Sequence, residues 1–206
     1  MYDIPQIFLL GLAIGFTGAL APGPTLVATI NASLKGDWTA GLRITFGHMI
    51  AETAIFLLIV LGFATIALPY TSVIAVVGGA ALVVFGIMTV SGSRTAVLRA
   101  APEEQASGPV VAGLMTSVAN PYFWIWWLTI GSVMVLQGLE GGIILAGAFM
   151  IGHWSADASW YLVVSTGFSK GKTIFPDSVY RKAILCCGAF LILFGVYYLL
   201  TPVLHG

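Results

Sequence analysis

Long apolar runs follow one another along the whole chain, separated by short stretches that contain glycine, proline or charged residues. An α-helix needs about 20 predominantly apolar residues to cross the hydrocarbon core of a bilayer. Several runs reach that length, so the pattern predicts six transmembrane helices. The expected ranges are about Ile7 to Ile30, Gly41 to Leu61, Tyr70 to Val90, Val110 to Leu136, Ile143 to Thr166 and Ala183 to Leu200.

Composition supports a membrane location. Hydrophobic residues make up 59% of the chain and charged residues 8%, whereas an average soluble domain has about 45–50% and about 25%. We therefore expect one all-α, polytopic membrane domain over residues 1–206, in contact with the lipid bilayer and without a nucleic-acid partner. The adjacent Cys186 and Cys187 suit neither a disulfide framework nor a metal site, and we expect no cofactor and no resident metal.

The basic residues predict the topology. All eight lie in or beside alternate connections between the apolar runs: Lys35 and Arg43 around the first, Arg94 and Arg99 in the third, and Lys170, Lys172, Arg181 and Lys182 in the fifth. Connections rich in lysine and arginine face the cytoplasm. We therefore expect a plasma-membrane protein with both termini outside and a cytoplasmic connection at about residues 91–109 that divides the helices three and three.

An internal repeat relates the second predicted helix to the fifth. The segment GHMIAETAIFLLIVLGF, from Gly47 to Phe63, aligns without gaps with GHWSADASWYLVVSTGF, from Gly152 to Phe168. Glycine, histidine, alanine, an acidic residue, leucine and a final Gly-Phe coincide. A shared pattern of this length favours duplication of an ancestral unit.

The repeat extends to the other two helix pairs. GAALVVFGI, from Gly79, aligns with GAFLILFGV, from Gly188, and the first and fourth helices match more weakly, with Pro22 and Pro121 in register. The repeats are expected at about residues 7–90 and 110–201. Because each unit has an odd number of spans, the second copy enters the membrane from the opposite side, which predicts a 3+3 inverted repeat of the kind found in secondary transporters.

Two acidic residues lie deep in apolar helices, and the repeat makes them equivalent. Glu52 and Asp157 each follow a histidine, His48 or His153, by four residues, which places acid and imidazole on one helix face. A charge at the centre of a membrane helix costs about 2.5–3.5 kcal/mol. The pairs either hydrogen-bond internally and hold neighbouring helices together, or form a functional site; their duplication favours the site.

Prolines predict a break in the first helix and, at Pro121 in the fourth, a simple kink or a second break, the kink being favoured for Pro121 taken alone. Pro22, Pro24 and Pro121 lack the amide hydrogen that a helix requires, so the carbonyls of Gly18, Leu20 and Ser117 are expected to lose their helical partners. Asn120, just before Pro121, adds a side-chain amide. Unpaired backbone at membrane depth is tolerated only inside protein or beside a watery cavity. Each new half-helix N-terminus attracts an anion through its free amides and dipole.

These motifs resemble the LysE/RhtB family of amino acid exporters over essentially the whole chain. The resemblance rests on the Pro-Gly-Pro triplet, the pattern from Gly47 to Glu52, the Asn-Pro pair and the chain length. It implies six membrane spans and export of amino acids such as lysine, arginine, threonine or homoserine lactone in exchange for protons. The residues that carry over are Pro22, Gly23, Pro24, Glu52, Asn120 and Pro121. Many family members have lysine where this chain has Tyr122, and the cluster Trp124, Trp126 and Trp127 is unusually bulky.

The resulting hypothesis is a secondary transporter that exports amino acids or similar small zwitterions by proton antiport through a midplane site. Asp157 joins the expected substrate-binding residues, and His48, Glu52, His153 and Asp157 form the expected proton relay. A divalent metal or other cation exporter is the alternative, because carboxylate and imidazole also bind metal ions. An intramembrane enzyme is not expected, because Ser155 and Ser159 lie in an apolar helix and the sequence shows no loop that would present a serine as nucleophile. Glycine-rich helix faces allow close packing either within the chain or against a second copy, so a homodimer is an open alternative.

Overall fold

The computed structural model of the protein describes residues 3–34, 36–62, 70–94, 108–170 and 177–205, and every regular element in these ranges is helical. A π-helical turn, Trp127–Gly131, connects two of the helices. The helices are α1 (Ile4–Ala19), α2 (Pro24–Ser33), α3 (Ala40–Val60), α4 (Thr71–Ser93), α5 (Gly108–Val118), α6 (Pro121–Trp126), α7 (Ser132–Glu140), α8 (Ile143–Lys170) and α9 (Asp177–His205).

Helices cover all six predicted ranges, although not each as one straight span. Within the described residues, three helical segments are long and apolar enough to cross a membrane: Ala40–Val60, Val76–Ser93 and Pro121–Glu140. The bent pair α1 and α2 makes a fourth if it is one span, and Gly108–Val118 and Ile184–Leu200 are shorter apolar helices. The 28-residue α8 is not among the three, and its length is sufficient for a span. The predicted class of polytopic all-α membrane protein is confirmed.

The prolines break two helices: the break at Pro22–Pro24 is the predicted one, whereas at Pro121 a break replaces the simple kink that this proline alone favours. The local bonding also differs from the expectation. Between α1 and α2 the chain bends by 83°. The carbonyl of Gly18 accepts from the amide of Ala21, and that of Ser117 accepts from the amide of Asn120, both at 3.1 Å. The expectation that these two carbonyls lose their partners is therefore wrong. The last turn of each helix is tighter than an α-helical turn, so each carbonyl accepts from the amide three residues later instead of four.

In each broken helix the second half begins with a proline. These two prolines are not the pair that the sequence alignment places in register. Pro24 starts α2 after Gly23, and Pro121 starts α6 after Asn120. Structurally, Pro24 rather than Pro22 therefore occupies the position of Pro121. The first break contains additional residues, which a comparison of proline positions alone does not reveal.

Glycines allow the first half of the chain to interlock with the second. Gly11 of α1 packs on the backbone of Phe149 in α8, and Gly113 of α5 packs on the backbone of Ile44 in α3. The repeated glycines follow the same rule: Gly152 of α8 packs on α1, and Gly47 of α3 packs on α5. Exchanging the two repeats exchanges these contacts, which is the relation that a pseudo-two-fold axis requires.

The third helices of the two repeats pack on each other. Gly79 and Gly86 of α4 face Gly195 and Gly188 of α9 at backbone contact distance, again in a reciprocal arrangement. This pattern supports the predicted repeat, while its boundaries at about 7–90 and 110–201 stay a prediction. Among the residues used to predict topology, Lys35, Arg99 and Lys172 lie outside the described residues, and the orientation in the membrane also stays a prediction.

Candidate functional site

The four titratable side chains singled out in the sequence meet at the centre of the molecule. Helix α3 contributes His48 and Glu52, and α8 contributes His153 and Asp157. Glu52 and Asp157 are each only 1% exposed, and His153 is similarly buried. The two acid-bearing helices, α3 and α8, pack directly on each other. The site is therefore assembled from both halves of the chain.

One carboxylate oxygen of Glu52 connects the group. Its Oε1 atom accepts from Nε2 of His153 at 2.8 Å and lies 3.1 Å from Nε2 of His48. The indole Nε1 of Trp127 donates to the same oxygen at 3.3 Å. Because a tryptophan indole can only donate, Trp127 favours an ionised or acceptor oxygen at this position. Sequence analysis had left open whether any of the tryptophans reaches the site.

Asp157, the repeat partner of Glu52, is bonded less completely. Its Oδ2 atom lies 3.4 Å from Nε2 of His153 and has no hydrogen-bond partner among the described residues. Oε2 of Glu52 and Nδ1 of His153 also lack one there. Leaving a buried polar atom unpaired costs about 1–3 kcal/mol. The site therefore has unfilled capacity for polar contacts with a ligand.

Ser117, at the end of α5, is a site residue that the sequence analysis missed. Its Oγ lies 2.5 Å from Nδ1 of His48 and 2.6 Å from the carbonyl of Gly113. A hydroxyl has one proton, so it donates either to the carbonyl, accepting from a protonated Nδ1, or to an unprotonated Nδ1. Gly11 and Gly113 make equivalent contacts in the two repeats, so Gly15, four residues after Gly11, is the structural equivalent of Ser117. Glycine has no hydroxyl, and Nδ1 of His153 therefore has no equivalent partner among the described residues.

Aromatic rings enclose the imidazole of His153. The ring of Trp126 is tilted over it at a centroid distance of 4.7 Å, Trp127 meets it edge-on at 5.3 Å, and Phe149 is stacked at 6.3 Å. Trp124 instead is 39% exposed, and its indole donates to the carbonyl of Val118. The three neighbouring tryptophans thus separate into two that enclose the site and one at the outer surface.

A small chamber of about 40 Å³ lies between these groups. A buried water needs at least about 10–15 Å³ on a comparable measure, so the chamber has room for a few waters and must expand to admit an amino acid. Of the predicted site residues, those that line it are Gly23, His48, Glu52, Asn120, His153 and Asp157. Pro22, Pro24 and Pro121 do not line it; they shape the backbone of the breaks.

The two half-helix starts differ at the chamber wall. Asn120 caps α6, its side-chain oxygen accepting from the amide of Tyr122 at 3.1 Å. Gly23 precedes α2 in an extended conformation and offers no side-chain cap. Gly23 and Thr25 both line the chamber, so the positive end of the α2 dipole lies beside the acidic group.

The same side chains could hold a metal ion. His48, Glu52 and Asp157 each offer a ligand atom, and these atoms lie within 4.8 Å of one another. Imidazole nitrogen and carboxylate oxygen are ligands that zinc and manganese accept. The arrangement is therefore compatible with a divalent cation as cargo.

A comparison with known protein families agrees with this architecture. The family model of the LysE type translocator matches residues 16–201. The chain belongs to the LysE type translocator family. Membership makes it a transport protein with a small-molecule substrate, in a family of translocators rather than enzymes, and agrees with its apolar helices in making it a multi-pass membrane protein. No curated protein and no solved structure matches the chain.

Proposed function

We propose that this LysE-family protein exports amino acids or similar small zwitterionic metabolites across the plasma membrane in exchange for protons. One observation carries the proposal: two buried acids from equivalent helices, each with its histidine, share one central chamber with the broken ends of two further helices. Intramembrane ionisable groups mark substrate pathways and proton relays. In transporters with inverted repeats, such sites lie where the repeats meet.

The chamber offers complementary contacts for the two charges of a zwitterion. The start of α2 at Gly23 attracts a carboxylate through the helix dipole and the uncapped first turn. Oε2 of Glu52 and Oδ2 of Asp157, both without hydrogen-bond partners in the described structure, are available to an ammonium group. A substrate ammonium would form charge-assisted hydrogen bonds there, which are stronger than neutral ones.

Proton coupling follows from competition for the same oxygens. Nε2 of His153 lies 2.8 Å from Oε1 of Glu52 and 3.4 Å from Oδ2 of Asp157, so a small ring movement transfers its hydrogen bond from one acid to the other. Protons that neutralise the acids remove the charge that an ammonium needs. Substrate and protons therefore bind alternately, and the histidines relay the proton between the two carboxyl groups.

The proposed transport cycle uses the repeat. The clustering of lysine and arginine in alternate connections places Arg43, Arg94 and Lys170 at the cytoplasmic side. The halves then form an inverted 3+3 arrangement, and one rocks against the other around the central acids. The breaks at Pro22–Pro24 and at Pro121 divide two helices beside the site and allow their halves to move separately.

Glu52→Gln tests the carboxylate. The variant keeps the side-chain shape and an oxygen that can accept from Trp127 and the histidines, but it cannot ionise. Glu140→Gln, at the exposed end of α7, is the matched control. In proteoliposomes with a pH gradient, we expect Glu52→Gln to lose amino acid exchange and Glu140→Gln to retain it. Full transport by a correctly folded Glu52→Gln variant would refute the role of the carboxylate.

A divalent cation exporter is the second candidate, favoured by the spacing of His48, Glu52 and Asp157. It predicts binding of zinc or manganese at micromolar concentration to the purified protein, measured by calorimetry. It also predicts metal uptake into inverted vesicles, lost in Asp157→Asn. Amino acid exchange without metal transport would reject this candidate.

A further inference from the structure

We propose that a second cavity, of about 570 Å³, is a water-filled cytoplasmic vestibule through which substrate reaches the central chamber. This proposal rests on the proposed transport function and adds the access path to it. The cavity lies between α2, α4, α5 and α9, outside the group of titratable side chains. We call it the vestibule.

The vestibule lies toward the predicted cytoplasmic side. Its lining includes Asn31 in the last turn of α2, Gly92 in the last turn of α4 and Ile184 in the first half of α9. The connections that follow α2 and α4 and precede α9 are the three that contain or closely flank the lysines and arginines. One end of its lining is therefore near the side from which an exporter takes up its substrate.

A thin partition separates the vestibule from the chamber. Gly23 lines both cavities. A Cβ atom at Gly23 would lie 3.3 Å from Nδ2 of Asn120, so the two helix breaks touch at this point through a glycine and one amide group. Movement of either half-helix would join the cavities. The contact between Gly23 and Asn120 thus acts as the inner gate.

The size and lining of the vestibule suit a solvated substrate. Small-molecule sites have volumes of about 300–1,000 Å³, a range that includes the vestibule. Thr89, Thr116 and Asn31 contribute polar groups to its wall. A separate cavity of about 440 Å³, which Pro121 lines, has apolar side chains with Trp124 as its one exception. This contrast indicates that water enters from the vestibule side.

Cysteine accessibility tests the vestibule without knowledge of the substrate. In a background with Cys186→Ser and Cys187→Ser, Thr116→Cys and Thr89→Cys place a thiol in its wall. Val111→Cys and Met88→Cys, on the same two helices, place a thiol at exposed positions outside its lining. The probe is a positively charged methanethiosulfonate applied to inside-out or right-side-out membrane vesicles, with transport measured before and after modification.

We expect Thr116→Cys and Thr89→Cys to react at least about 10-fold faster than their controls, because hydrocarbon excludes a charged reagent. The reaction should occur from the cytoplasmic side and should inhibit transport. Three results would overturn the proposal: reaction only with lipid-soluble N-ethylmaleimide, which would identify a lipid-filled crevice; reaction only from outside; or modification without inhibition. None of these alters the Glu52→Gln result, so failure of the vestibule and failure of the proposed function are distinguishable.

Discussion

Replacing Gly152 by alanine tests whether close helix packing positions the central site. Gly152 precedes His153 on α8 and packs on the backbone of α1. An alanine Cβ would lie 2.9 Å from the backbone nitrogen of Leu12 and closer still to the carbonyl oxygen of Phe8, whereas ordinary contact begins at 3.4 Å. Neither atom belongs to a flexible side chain, so α1 and α8 must separate.

The cost follows from this separation. The helices must move by about 1 Å to relieve the contact with the Phe8 carbonyl oxygen, and overpacking of this kind costs about 1–3 kcal/mol. For a chain of this length the loss corresponds to a fall of about 2–12 °C in melting temperature. The distance from Nε2 of His153 to Oε1 of Glu52 is 2.8 Å. The same movement lengthens it toward the limit at which a hydrogen bond weakens.

Gly147→Ala is the matched control, because Gly147 lies on the same helix with nothing within 4 Å of its added methyl group. Alanine should be neutral or stabilise α8 there by about 0.5–1 kcal/mol. The measurements are thermal unfolding in detergent and pH-driven exchange in liposomes. We expect Gly152→Ala to lose stability and transport while Gly147→Ala keeps both; equal behaviour of the two variants would refute the packing argument.

Two further variants test individual contacts. Ser117→Ala removes the hydroxyl beside Nδ1 of His48 and should destabilise the protein by about 1–3 kcal/mol and change the pH profile of exchange; an unchanged profile would exclude Ser117 from the proton relay. Asn120→Ala removes the cap on the amide of Tyr122 and should cost about 0.5–2 kcal/mol in thermal unfolding. Asn120→Ser, which restores a capping oxygen, should recover most of that stability, and equal losses in both would contradict the capping role.

The repeat was the most productive feature for prediction. It paired Glu52 with Asp157 and His48 with His153, and all four line one chamber. It did not predict that Oε1 of Glu52 lies within 3.1 Å of both histidines while Asp157, among the described residues, has only the longer approach of His153. Two equivalent positions differ in bonding because their surroundings differ: Ser117 holds one imidazole, whereas Gly15 stands in the corresponding place and cannot hold the other.

The helix breaks show the same limit. Proline predicts where a helix is interrupted, because the missing amide hydrogen and the ring are local properties. Whether a freed carbonyl finds another donor depends on how the chain turns afterward, and those of Gly18 and Ser117 find one three residues on. Likewise, no local rule distinguishes Trp127, bonded to Glu52, from the exposed Trp124.

The sequence by itself determined the helical membrane class, the helix positions, the breaks and the equivalence of the buried acids. These follow from transfer of side chains into lipid and from backbone chemistry, which act over one helix at a time. Tertiary structure decided which carboxylate oxygen receives the N–H donors, which tryptophans enclose His153 and which residues line the chamber. Those choices depend on contacts of 2.8 and 3.3 Å between residues 101 and 75 positions apart in the chain, and a spacing pattern along one chain does not specify them.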